Sequence, residues 1–288
     1  MVTVSDQQSR LDGPCRVVLE SHLLSKSSTP ADDVSFICAG KNFSRHDYAD
    51  QNAIKMAFEA INLGFSAAVI PHTIINPQAL FFDMDATVIA EESLVEIANA
   101  AGKKREVEEI TAAAMAGGLD FKESLRARLV ILRGTDRSQI LNIKPSISKG
   151  MTELSTWCHQ QRIPMFLISG GFVDLAGPIA MQLGFKDFRA NRFAWDGDRL
   201  AGHVEGPIID AEGKRAAVSQ WCQVHNLDPK RCIAVGDGAN DKLMMDFCGV
   251  AVGFSPKKVL WPFLHLANHT GDHRLILEVL APLRAAHI

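Results

Sequence analysis

Three stretches of this chain place four apolar residues in a row and then stop on a polar cluster: ALFF at 79–82 before DMDAT, MFLI at 165–168 before SGG, and CIAV at 232–235 before GDGAND. An unbroken apolar run of that length leaves no face for water, so it fits a strand covered on both sides. Helical patterns separate the three runs, and strands alternating with helices build a parallel sheet. In such an open sheet ligands bind beyond the carboxyl ends of the strands, where all three polar clusters would gather.

The stretch between the first two runs is too long for a simple crossover. From about residue 91 to 150 it is rich in Ala, Glu and Lys, with Gly102, Gly117, Gly118 and Gly134 dividing it into helical segments, and it reads as an inserted helical cap. FAWDGDRLAGHV, at 193–204, carries a DG turn between apolar flanks and reads as a hairpin or a plain loop. Ahead of residue 78 the pattern changes to a Ser-rich stretch and modest strand candidates at 16–20 and 34–38. A helix follows on the spacing of Ile54, Phe58 and Ile61 with Gly64 as its C-cap, then a strand at 67–70 and a Pro-bracketed linker.

With 30 basic and 33 acidic side chains and a net charge of −3, nothing marks a nucleic-acid or anionic-membrane surface. No apolar run approaches the roughly 20 residues that span a bilayer. MVTVSDQQSR lacks the features of a signal peptide, so the expected setting is the cytoplasm. The six cysteines show no CxxC spacing and are expected to be reduced and mostly buried.

Asp83 and Asp85, one residue apart at a strand end, need a cation, a proton or a reaction to answer for their charge. A carboxylate held against phosphorus by a divalent cation can act as a nucleophile, and a second one two residues on can return to the same side as an acid/base. Asp237 at another strand end supplies a further oxygen ligand for Mg²⁺, while Ser169 with its neighbouring glycine N–H groups, and a lysine, offer donors to phosphoryl oxygens.

DMDAT, LISGG, the lysine of IIDAEGKRAAV and VGDGAND, in that order, resemble the four motifs of the haloacid-dehalogenase-like phosphatase superfamily. DMDATVIAEESLVEIANAAG and AMAGGLDFKESLRARLVILRG narrow the resemblance to phosphoserine phosphatases over nearly all of 78–254, cap included. The resemblance implies an α/β fold with a Rossmann-like parallel sheet core over 78–288 and the helical cap within it; the segment ahead of it has no match to the family and reads from its own pattern as a small N-terminal α/β domain of unknown role over 1–77. It also implies Asp83 as nucleophile, Asp85 as acid/base, and Ser169 and Lys214 as holders of the phosphoryl group. Asp83, the carbonyl of Asp85 and Asp237 would bind Mg²⁺, supported by Asn240 and Asp241. Glu92 would meet the substrate ammonium and Arg128 its carboxylate, with Met115 and Phe121 walling the pocket and Gly170 and Asn240 also on the substrate. The implied partner is a small phosphomonoester, O-phosphoserine, with oligomeric state open between monomer and homodimer. Ala86 departs from the family, which usually has a serine there.

Plainer readings stand beside these. Lys214 in DAEGKR reads alone as a solvated loop lysine, with Arg215 as a rival, and Glu91 as an ordinary dipole partner of a helix start. Arg128 has Arg126 and Arg133 for neighbours, and Met115 fits the cap core. His265, His269 and His273 recur every four residues, but in a segment that reads as a near-surface loop with structural or solvent-facing histidines. Two other functions share the same residues: phosphoryl transfer to another small alcohol such as homoserine, and silent sensing of serine or phosphoserine.

Overall fold

The computed structural model describes residues 4–8, 11, 15–20, 34–38, 40–46, 49, 51–74, 76–115 and 120–281. In chain order the elements are α1 (Val4–Gln8), β1 (Cys15–Glu20), β2 (Val34–Cys38), β3 (Lys41–His46), α2 (Gln51–Asn62), β4 (Ala67–Pro71) and β5 (Ala79–Phe82). The cap helices α3 (Ser93–Ala100), α4 (Lys104–Met115), α5 (Phe121–Leu132) and α6 (Arg137–Leu141) follow. Then come α7 (Met151–Gln160), β6 (Met165–Phe172), α8 (Val173–Gln182), β7 (Asp187–Asp196), β8 (Arg199–Glu205) and α9 (Ala211–Val224). The last are β9 (Cys232–Gly236), α10 (Lys242–Phe247), β10 (Val250–Phe254), β11 (Leu266–Asn268) and α11 (Arg274–Leu280).

The apolar runs behave as their composition requires. Along β5, Leu80 and Phe82 enter one buried layer with Met165 and Leu167. Ala79 and Phe81 enter the opposite layer with Phe166, Ile168 and Trp221. Both faces are therefore dry, and each buried Phe contributes about 1.5–3 kcal/mol relative to exposure. Six strands run parallel in the order β11-β10-β9-β5-β6-β7. The chain leaves β5 toward β6 and β7, then returns to build β9, β10 and β11 on the other side. That reversal opens a crevice at the carboxyl ends of β5 and β9.

Each edge of the parallel block is antiparallel. On one side β7 and β8 form the DG hairpin, with Gly197 at φ 57° in its turn. On the other, β4 pairs with β11 through Ala68–Leu266 and Ala67–Ala267. Beyond it β1, β3 and β2 continue the ladder, so hydrogen bonding crosses residue 78 without a break. Arg16 on β1 is fully buried and donates to the carbonyls of Val279 and Ala281 at 2.6 Å, which fastens this edge to the end of α11. The cap has a core of its own, in which Ile97, Val107, Leu125 and Leu129 meet Phe172 and Phe193 of the sheet layer.

The segment carrying the three histidines corrects the near-surface loop expected of it. It holds a short 3-10 helix over Lys258–Phe263 and the buried strand β11. The histidines have separate partners: His265 Nδ1 accepts from the Ala251 N–H, and the His269 ring packs edge-on to Trp261. His273 is fully buried, stacks on Phe254 at 3.9 Å and pairs through Nε2 with the Thr87 carbonyl at 2.9 Å. A carbonyl only accepts, so Nε2 carries the proton.

Burial pushes the His273 imidazole down to about 4. The unfolded chain, with an ordinary value near 6.5, then binds the proton more readily, so this stabilisation is full above pH 6.5 and is lost as pH falls toward 4. The loss over that window is about 3 kcal/mol. Urea unfolding of the wild type and of His273→Gln at pH 7 and pH 5 checks it: the wild type is expected to lose more stability than the variant between the two pH values. Equal losses would remove His273 as the cause.

Candidate active site

Asp83 follows β5, and its backbone N–H donates to the Val235 carbonyl at 2.9 Å, which registers the strand end against β9. The next residues form an irregular turn, Met84–Val88, in which Ala86 takes a left-handed φ of 51°. This turn sends the chain into the cap. Ser93, at the start of α3, reaches back to Asp85: its N–H donates to Oδ1 at 2.9 Å and its hydroxyl to Oδ2 at 3.0 Å. Asp85 is thus clamped by the first cap helix.

Lys214 lies in the first turn of α9, whose N-cap Asp210 accepts from the Gly213 N–H at 2.9 Å. It is fully buried, with Nζ 2.5 Å from Asp83 Oδ1 and 2.7 Å from Asp241 Oδ1. Arg215 is excluded from this role because its guanidinium stands over the Phe247 ring. Asp241 Oδ2 accepts from the N–H groups of Asp237 and Gly238, each at 3.1 Å. A Cβ on Gly236 would stand 2.3 Å from that oxygen, so only glycine admits the loop. The Lys257 ammonium lies 2.9 Å from Asp237 Oδ2.

Ser169 is fully buried, and its hydroxyl oxygen accepts from the Gly171 N–H at 2.8 Å. Ser93 Oγ, Ser169 Oγ and Asp85 Oδ2 crowd Gly171 so closely that an added Cβ would come within 2.7, 2.9 and 3.1 Å of them. Gly171 therefore lets three polar side chains converge. Phe121 of α5 packs onto Gly170 from the cap, 3.0 Å from where a Cβ would sit.

A cavity of about 720 Å³ lies between cap and sheet beside these groups, with Ser169, Lys214 and Asp241 buried behind its lining. Asp83, Asp85, Glu92, Phe121, Arg128, Gly170, Asp237 and Asn240 line it, together with Ser93, Lys122, Asp210 and Lys257. Arg126 and Arg133 are exposed while Arg128 turns inward, its Nε donating to the Ser124 carbonyl at 3.2 Å. Glu91 accepts from the Ser146 N–H at 2.9 Å, tying the entrance of the cap to its exit, so it is more than a helix-dipole partner. Met115 ends α4, and its side chain lies outside the described residues. The resemblance passed over Ser93, Lys122, Asp210 and Lys257, whose side-chain partners are 8 to 88 residues away and leave no spacing pattern.

The electrostatics of the cluster favour a further positive charge. Burial, then the Asp241 carboxylate, hold Asp83 well above the usual carboxylate range against the pull of Lys214. Burial also opposes the charge of Lys214, but Asp241 and Asp83 more than offset it and keep the ammonium charged. One ammonium shared between two carboxylates cannot satisfy both. Ligand oxygens of Asp83, Asp237 and Asp241 lie within 4.8 Å of one another. Both Asp241 oxygens and one each of Asp83 and Asp237 are committed, which leaves Asp83 Oδ2 and Asp237 Oδ1 uncommitted among the described residues. Two single carboxylate oxygens suit a hard cation that keeps much of its water. Burial, then Glu92, push Asp85 up to about 6 in spite of Ser93, a value near that wanted of a group that gives and takes a proton.

A family model described as haloacid dehalogenase-like hydrolase matches residues 80–246. The phosphoserine phosphatase of Albidiferax ferrireducens is 36% identical over 209 residues, covering 70% of this chain and 88% of that protein. A solved structure described as a phospho-aspartyl intermediate analogue of phosphoserine phosphatase superposes with a TM-score of 0.66 at 29% identity, over 70% of this chain and 98% of its own. A HAD family hydrolase from Salmonella enterica serovar Typhi shares the fold over 94% of this chain and all of its own, with a TM-score of 0.81 at 20% identity.

Proposed function

This chain belongs to the haloacid dehalogenase-like hydrolase family, and on that premise we propose that it is a Mg²⁺-dependent phosphatase that hydrolyses O-phosphoserine to serine and phosphate. Asp83 attacks phosphorus through its carboxylate, and the bond from phosphorus to the serine oxygen breaks. Asp85 gives its proton to the departing alkoxide. It then takes a proton from water, which attacks the aspartyl phosphate and frees Asp83 and inorganic phosphate. Ser169 and Lys214 hold the phosphoryl oxygens through both steps. Asp83, the Asp85 carbonyl and Asp237, with Asn240 and Asp241 in support, would hold Mg²⁺, which would supply positive charge to those oxygens.

One observation carries the choice of substrate. The wall of the cavity combines Glu92 with an inward Arg128, whose charge the Glu92 carboxylate helps to retain against burial. A carboxylate beside a guanidinium complements the ammonium and carboxylate of an amino acid. The named activity of the 36% identical relative favours the same substrate. We place the reaction as the closing step of serine synthesis in the cytoplasm, a setting compatible with six free, buried thiols.

Phosphate release from O-phosphoserine, measured with and without Mg²⁺, tests the proposal. Release that requires Mg²⁺ is expected. Serine and phosphate should appear in equal amounts, and added homoserine should yield no phosphohomoserine. Transfer to homoserine would change the acceptor, and absence of any release would favour a sensor.

A further inference from the structure

One positive group in the cation cluster has no part in the phosphoryl chemistry. Lys257 grips Asp237 in two ways: its backbone N–H donates to the Asp237 carbonyl at 2.9 Å, and its ammonium sits 2.9 Å from Oδ2. The side-chain stem passes over Gly238, where an added Cβ would stand 3.9 Å from Cδ and 3.5 Å from Nζ. Asp237 is nearly buried while the Lys257 side chain stays 52% exposed on the cavity wall. The lysine is therefore not a core residue, and its contacts are concentrated on one carboxylate.

We propose that Lys257 is a positioning residue that sets the cation selectivity of the site. By occupying Asp237 Oδ2 it restricts Asp237 to single-oxygen ligation, which favours Mg²⁺ over Ca²⁺. The inference rests on the reading of the site as a Mg²⁺ centre. Ca²⁺ takes about 6–8 oxygens and gains from carboxylates that offer two, whereas Mg²⁺ holds a tight octahedron filled out by water. Asp241 cannot make up the number, because Lys214 and two backbone N–H groups engage both its oxygens. Asp83 has one oxygen on Lys214. Asp237 is the carboxylate whose second oxygen is withheld by a partly exposed side chain, and so the one at which a substitution can release an oxygen without touching the nucleophile.

Titration calorimetry on metal-stripped protein, without substrate and at fixed ionic strength, gives Kd for Mg²⁺ and for Ca²⁺ in the wild type, Lys257→Met and Lys257→Arg. Removing a positive charge tightens both cations, an effect that cancels in the ratio of the two constants. The ratio of Kd for Ca²⁺ to Kd for Mg²⁺ is expected to fall about tenfold in Lys257→Met, the lower end of what outer-sphere partners of a metal site control. Lys257→Arg, which still covers Oδ2, should keep the wild-type ratio. If the methionine variant tightens both cations equally, or the arginine variant shifts the ratio as far as methionine does, Lys257 is no more than a local charge; the inference fails and the cation site stands. A wild type that binds neither cation overturns both.

Discussion

Asp83→Asn is expected to lower phosphoserine turnover by about 10⁴- to 10⁶-fold, the range found when the nucleophile or its partner is removed from a covalent mechanism. The amide has no free carboxylate lone pair with which to form an acyl phosphate. The fold should survive. Lys214 keeps Asp241, and the substitution removes a buried carboxylate whose charge its surroundings oppose. Steady-state phosphate release and a thermal melt on the same preparation measure the two halves of the prediction. Turnover near the wild-type rate in a sequence-verified Asp83→Asn protein would end the covalent mechanism.

Arg128→Ala should depress phosphoserine hydrolysis strongly and leave phosphoethanolamine almost unchanged. Burial works against the charge of this guanidinium, with Glu92 and Asp85 acting to retain it, so it is poised for a further anion. Phosphoethanolamine lacks the carboxylate and leaves Arg128 without that partner. Losing one member of a desolvated charge pair costs about 2–5 kcal/mol, or tens to thousands of fold in kcat/KM. The wild type should prefer phosphoserine by that margin. Because α5 carries Phe121 at one end and Arg128 two turns on, damage to the cap would slow both substrates alike. Equal slowing, or a wild type that does not distinguish the two, would return Arg128 to an ordinary surface arginine.

The central strands and the polar clusters at their ends were legible in the chain because the physics that makes them is local. Four apolar residues in a row at 79–82 bury on two faces wherever they occur, and a polar cluster that follows directly sits at the strand end. Cap helices could be read from spacing and punctuation for the same reason, whereas the DG turn left hairpin and loop open, and the pairing of β7 with β8 decides for the hairpin. Lys214 needed the order of the motifs, since DAEGKR by itself describes a solvated loop.

Contacts between distant segments were not legible. Nothing around the two lysines at 257 and 258 says that the first will lie on Asp237, and nothing in EESLVEI says that Ser93 will clamp Asp85. β11 has only three residues, too few for a periodic signal, yet it joins the parallel block to β4. Hydrophobic patterning specifies which face of an element turns inward, a property of neighbouring residues. Which carboxylate oxygen is covered, which histidine loses its water and which strand edge meets another depend on segments brought together by packing, and the chain carries no local trace of them.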